Sequence, residues 1–100
     1  QFLSRKTRNK VLLVIEELLM IYKPLLETIA LELTVAYSEK NETLALVCES
    51  GGNQCNPLEG DHLVDDLGVN LIKQFSTDIA YGWDGDKNKI TVSMQATRGV

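Results

Sequence analysis

Apolar and polar positions recur with regular spacing along most of this chain. A first helix is predicted to run to about Tyr22, and its centre, KVLLVIEELLMIY, is apolar on most sides apart from the pair Glu16 and Glu17, which predicts a mostly buried helix. Ser4 or Thr7 is suited to cap it. Four later segments alternate with a period of two, which predicts half-buried strands. These segments are residues 31–37, 44–48, 79–83 and 90–94.

The turn-forming stretches EKNE and DGDKN separate these segments pairwise, which predicts two antiparallel hairpins. In the first turn, Asn41 is the residue suited to a positive φ. Between the hairpins, ESGGNQCNPLEGD forms a long loop, and loops of that length are usually functional or disordered.

A second helix is predicted from DDLGVNLIKQF to about Ser76. Its apolar positions fall at helical spacing; they are Val64, Leu67, Leu71, Ile72 and Phe75. Gly68 interrupts this pattern, where glycine costs about 1 kcal/mol relative to alanine. Either a phosphate approaches the backbone there, or helix and sheet pack closely; the two interpretations are compatible.

The order helix, hairpin, loop, helix, hairpin indicates an α+β (α/β) two-layer sandwich. Two helices cannot cover both faces of a four-stranded sheet, so we expect both on one face. Residues 1–100 are long enough for a single domain. Because the chain begins with Gln1, we expect it to be excised from a longer protein.

Composition excludes several classes of function. The net charge of −4 argues against nucleic-acid binding, and no apolar run reaches the roughly 18 residues of a membrane helix. Cys48 and Cys55, with one histidine in the chain, do not make a zinc site. We expect both cysteines to be reduced in a cytoplasmic protein; a disulfide between them is the alternative.

Three short stretches carry chemistry: EELLMIY on the first helix, CESGG at the end of the second strand, and NPL further along the loop. With residues 65–94, they resemble the histidine-kinase-like ATPase family, which includes sensor histidine kinases and gyrase-type ATPases. The similarity is greatest to its anti-sigma-factor serine kinases and covers about residues 5 to 96. It implies a Bergerat-type ATPase fold with a mixed, mainly antiparallel sheet and helices on one face.

The resemblance implies ATP as the ligand and names four site residues. Glu17 stands at the position of the family's catalytic base or water-orienting glutamate. Four residues later, on the same helix face, Ile21 replaces the asparagine that ligates Mg²⁺. Since a hard cation takes oxygen ligands, Ile21 argues against Mg²⁺ binding and phosphoryl transfer. The alternative for Glu16 and Glu17 is a polar edge on a buried helix.

The remaining site residues lie beside the loop. Glu49 replaces the family's aspartate that accepts a hydrogen bond from the adenine amino group, and Gly51 follows it; alternatively, Glu49 is a surface charge at a strand end. Gly68 matches a glycine of the phosphate-binding turn, whereas Asp66 replaces another. Residues 52–64 correspond to a short ATP lid.

Two functions remain open. One is an ATP-binding domain in signal transduction, a serine or histidine kinase-like ATPase with weak or absent activity. The alternative is a degenerate regulatory module that binds proteins and no nucleotide. A sigma factor, its antagonist or the rest of the parent chain would be the partner. Family members place a strand or two before the first helix, and there is little room for them here before residue 5. Without that strand we expect an exposed sheet edge, which favours pairing with another chain or a homodimer.

Overall fold

The computed structural model describes residues 4–23, 30–54, 56–58 and 67–96. This part of the chain has an α+β fold of two helices and a four-stranded antiparallel sheet. In chain order the elements are α1 (Arg5–Tyr22), β1 (Leu31–Ser38), β2 (Thr43–Ser50), α2 (Leu67–Phe75), β3 (Asp78–Trp83) and β4 (Asn88–Gln95). The element order and both hairpins predicted from the sequence are confirmed.

The strand order across the sheet is β1-β2-β4-β3. All three pairings among the described strands are antiparallel, so the mixed sheet that we expected is not found in this part of the chain. The reason is that β4 folds back on β3 and then lies beside β2, running in the opposite direction. The two central strands, β2 and β4, are therefore paired on both sides.

One face of the sheet packs against the helices, and we call it the inner face. In β2, Leu44, Leu46 and Cys48 are buried, whereas the intervening residues are only half-buried. The opposite residues of β4 are buried too, and directly opposite residues share a face. Buried residues of both helices join the same core. They are Val11, Val14, Leu18, Tyr22, Val69 and Ile72.

Helix α1 begins as its sequence predicts. Ser4 is the N-cap, and its Oγ accepts a hydrogen bond of 3.1 Å from the Thr7 backbone N–H. This bond satisfies one of the N–H groups that have no partner within a helix. Neither helix in the described part of the chain is long and apolar enough to cross a membrane.

The apolar face predicted for α2 was partly wrong. Val69 and Ile72 are buried, while Leu67 is 74% exposed. Leu67 precedes Val69 by two residues, which is about 200° around a helix, so the two point in nearly opposite directions. Ser76 Oγ donates to the carbonyl of Ile72 just after the helix ends. Val64 lies outside the described residues.

The turn between β1 and β2 also differs from the prediction. Glu42 has the positive φ, 51°, where we expected Asn41 to have it. The Glu42 carbonyl accepts a hydrogen bond of 2.8 Å from the backbone N–H of Ala96, just beyond β4. A contact distant in sequence therefore fixes Glu42 in a conformation that its residue type does not favour.

Substitutions on the two faces of β2 test whether one face alone is covered. Leu46 is fully buried on the inner face, so we expect Leu46→Ala to lower the free energy of unfolding by about 2–5 kcal/mol. Its neighbour Val47 is half-buried on the opposite face, and Val47→Ala should cost about 1 kcal/mol or less. Urea denaturation measures both. Equal losses would contradict a single covered face.

Candidate functional site

A groove lies at the end of the sheet where β1 begins, β2 ends and β4 begins after the turn that joins it to β3. Leu31 of β1 is opposite Ser50 of β2, and Ser50 is opposite Asn88 of β4. The groove has a volume of about 630 Å³. Its lining residues are Ala30, Leu31, Glu32, Glu49, Ser50, Gly51, Gly52 and Lys87.

Two of the predicted site residues, Glu49 and Gly51, line this groove together. Glu49 lies on the outer face of the sheet, because Cys48 and Ser50 on either side of it are buried on the inner face. Across the strands, Glu49 is opposite Glu32 on one side and Lys89 on the other. Its carboxylate therefore has a like charge and an opposite charge as neighbours.

The backbone after β2 turns sharply beside the groove. Gly52 has a φ of 97°, a conformation that a side chain would strain. Gly51 has no such requirement, and a Cβ added to it would meet nothing within 4 Å. The backbone at Gly51 is therefore open to a ligand on that side.

A buried asparagine anchors this turn to the sheet. Asn88 Nδ2 donates a hydrogen bond of 2.9 Å to the Asn53 carbonyl, and Tyr81 Oη donates to Asn88 Oδ1. Asn88 is only 3% exposed. Its side chain thus joins the edge strand β3, the central strand β4 and the loop that follows Gly52.

Sequence reasoning missed both Asn88 and Lys87, which it assigned to a hairpin turn. The turn itself is confirmed: Asp84 Oδ1 accepts hydrogen bonds from the backbone N–H groups of Lys87 (2.7 Å) and Asp86 (2.9 Å). These two bonds lower the pKa of the exposed Asp84 carboxyl. The alternation of Ile90, Val92 and Met94, continued back by two residues, reaches Asn88, and this pattern could have identified Asn88 as an inner-face residue. Lys87 belongs to no such pattern, so no signal in the sequence pointed to it.

The other predicted site residues, Glu17 and Gly68, do not line the groove. Glu17 is half-buried on α1, in the helical layer over the inner face, whereas Glu49 lies on the outer face. Gly68 is half-buried in the first turn of α2. Ile21 is partly buried and packs against the core. Asp66 and most of the proposed lid lie outside the described residues.

Cys48 lies in the core, and Cys55 is outside the described residues. Burial raises the pKa of the Cys48 thiol to about 11, so it stays protonated at neutral pH and is a poor nucleophile. No cluster of three or more histidine, cysteine, aspartate or glutamate side chains in the described part of the chain could hold a metal ion.

Comparison with models of known protein families, with curated proteins and with solved structures found no match. The family resemblance therefore stays a prediction from the motifs.

Replacing Asn88 tests its role as an anchor. We expect Asn88→Ala to lower the free energy of unfolding by about 1–3 kcal/mol, because it removes a buried side chain that hydrogen-bonds to both Tyr81 and Asn53. It should also speed proteolysis within residues 51–54. Asn41→Ala, in the exposed turn at the other end of the sheet, is the matched control. An unchanged cleavage rate in the loop would contradict the anchoring role.

The raised pKa of Cys48 predicts a stability that falls at alkaline pH. The unfolded thiol ionises near about pH 8.5, whereas the folded thiol stays protonated until about 11. The contribution is therefore complete below about pH 8.5 and is lost as the pH rises toward 11. Urea melts of Cys55→Ser, compared with the Cys48→Ala/Cys55→Ser double variant, isolate this effect. Parallel pH profiles for the two variants would contradict it.

Proposed function

We propose that this domain is an adenine-nucleotide-binding module of the histidine-kinase-like (Bergerat-type) ATPase fold, acting in signal transduction without efficient phosphoryl transfer. The observation that carries the proposal is the groove in which Glu49 and Gly51, two residues of the family's nucleotide-binding motifs, lie together with Lys87. The order helix, hairpin, loop, helix, hairpin, which is part of the resemblance, is consistent with it.

The groove offers the chemistry that a nucleotide requires. An ionised Glu49 accepts hydrogen bonds and donates none, which suits an exocyclic amino group such as that of adenine. Lys87 supplies a positive charge for phosphate, and the open backbone at Gly51 permits close approach. The volume of about 630 Å³ falls within the range of small-molecule sites, roughly 300–1,000 Å³.

Phosphoryl transfer is not supported in the same way. Ile21 holds the position of the Mg²⁺-ligating asparagine, packs against the core and has no oxygen to offer. Glu17 does not line the groove, so a general base at that position would be away from a nucleotide bound there. We therefore propose binding without efficient catalysis.

A protein-interaction module is the second candidate, and apolar exposure favours it. Six large apolar side chains in the described residues are substantially exposed, three of them on α1, two on β1 and one on α2, and exposed apolar patches mark protein interaction sites. They are Leu12, Leu19, Met20, Val35, Tyr37 and Leu67.

Calorimetric titration with ATP and ADP, each with and without Mg²⁺, tests the proposed function. We expect micromolar to millimolar binding that changes little with Mg²⁺. Glu49→Ala and Lys87→Ala should each weaken it about tenfold, the loss of one hydrogen bond or charge contact. Removing Glu49 leaves Glu32 without a like charge opposite, so this variant should fold. Lys40→Ala, at the exposed turn beyond β1, is the control.

Each outcome is informative. No heat at millimolar nucleotide, from protein shown to be folded by circular dichroism, would overturn nucleotide binding and favour the interaction module. Binding that Glu49→Ala leaves intact would overturn the groove as its site. Turnover of ATP that requires Mg²⁺ would overturn the absence of phosphoryl transfer.

A further inference from the structure

The side of α1 that faces away from the core carries large apolar residues. Leu12 is 59% exposed, Leu19 is 42% exposed and Met20 is 64% exposed. Leu12 and Leu19 are seven residues apart, about two helical turns, so one lies above the other on the same face. A helix that only covers a sheet presents polar residues on this side. The fold therefore does not account for these apolar residues.

The N-terminal part of the same helix face is basic. Arg5 precedes Leu12 by seven residues and Arg8 precedes it by four, so both lie on the face of Leu12. Both arginines are exposed. We call this row of residues the outer stripe of α1; it consists of Arg5, Arg8, Leu12, Glu16 and Leu19. At 1.5 Å per residue the stripe is about 21 Å long.

The basic residues of α1 lie where they disfavour the helix. Arg5, Lys6, Arg8 and Lys10 all fall in its first two turns and are four of the ten basic residues in the chain. The first turn contains no acidic residue, and the first acidic residue of the chain is Glu16. Positive charge near a helix N-terminus opposes the helix dipole. Departures from a local rule of this kind are expected at functional sites.

We propose that the outer stripe of α1 binds an acidic amphipathic helix of a partner protein. Carboxylates of the partner pair with Arg5 and Arg8, and its apolar residues pack against Leu12 and Leu19. Charge complementarity of this kind sets the register and the choice of partner. The seven-residue recurrence of Arg5, Leu12 and Leu19 is the spacing with which one helix packs along another.

The charges of the stripe argue against a second copy of this chain as the occupant. Parallel pairing would place arginine against arginine. Antiparallel pairing centred on Leu12 would bring Glu16 to Arg8, but it would leave Arg5 against the apolar Leu19 without a carboxylate. An acidic partner helix supplies carboxylates for both arginines.

An anionic lipid surface is a poorer occupant as well. Glu16 lies between Leu12 and Leu19 along the stripe, so its negative charge would fall in the middle of the contact with the lipid. A partner helix can present a polar or basic side chain at that point.

This proposal goes beyond nucleotide binding. The groove-lining residues belong to β1, to β2 and to the segments beside the strands, whereas the outer stripe lies on α1. The stripe can therefore bind a partner whether or not the groove binds a nucleotide.

The test is a titration of the isotopically labelled domain with two synthetic amphipathic helical peptides, followed by NMR. One peptide has leucines at seven-residue spacing and glutamates at one end; the control peptide has lysines in place of the glutamates. We expect the acidic peptide to bind with a Kd of about 100 μM or tighter and to shift backbone resonances of α1. The lysine peptide should bind at least about tenfold more weakly, because like charges oppose one another.

Variants of the stripe localise the binding. Arg8→Glu and Leu12→Lys should each weaken binding of the acidic peptide at least about tenfold. Arg8→Glu should fold, because negative charge near a helix N-terminus is favourable, and the NMR spectrum of each variant reports its folding. Lys40→Glu, in the exposed turn after β1, makes the same change in net charge. Leu67→Lys replaces a leucine of α2 that is 74% exposed. Both controls should bind like wild type.

Four results would overturn the proposal. The first is no shift in α1 resonances at about millimolar acidic peptide, and the second is equal binding of the two peptides. The third is binding that Arg8→Glu and Leu12→Lys leave intact. The fourth is a different occupant: a dimer in sedimentation equilibrium that Leu12→Lys disrupts, or binding to phosphatidylglycerol vesicles that the same two variants abolish.

Discussion

The structure depends on the apolar alternation in its two central strands. Leu46 of β2 and Val92 of β4 are directly opposite one another, and both are fully buried. Because β2 and β4 are each paired on both sides, their inner faces form the one continuous apolar surface on which α1 and α2 bury their own residues. The helices, the outer strands and the end at which the groove lies are all positioned relative to this pair of strands.

The same alternation explains how the loop beside the groove is anchored to the sheet. At the end of the sheet the inner-face positions pass from Cys48 and Ile90 to Ser50 and Asn88, which are equally buried but polar. A buried amide is tolerated only with hydrogen-bond partners, and Tyr81 and Asn53 provide them. The loop that follows Gly52 is therefore anchored to the sheet by a buried side chain next to the groove.

Periodicity in the sequence predicted the strands, both hairpins and α1, since each follows from spacing along a continuous segment. It failed where contacts between residues distant in sequence determine the local conformation. Glu42, not Asn41, took the positive φ because its carbonyl meets Ala96. Within the site, Glu49 and Gly51, which the motifs single out, lie beside a common groove, but Lys87 arrives there from a turn distant in sequence. No local pattern contains that information.

Element lengths explain why the inner face of the sheet is left uncovered along part of β1. The nine residues of α2 span about 13 Å, whereas the eight residues of β4 extend over about 27 Å. Since α2 ends just before β3 begins, it reaches only part of the sheet from there. The eighteen residues of α1 match the strands in length, but one helix covers about two strands in width. Two helices of these lengths leave part of a four-stranded sheet uncovered, and Val35 of β1, which is 51% exposed, lies in that part.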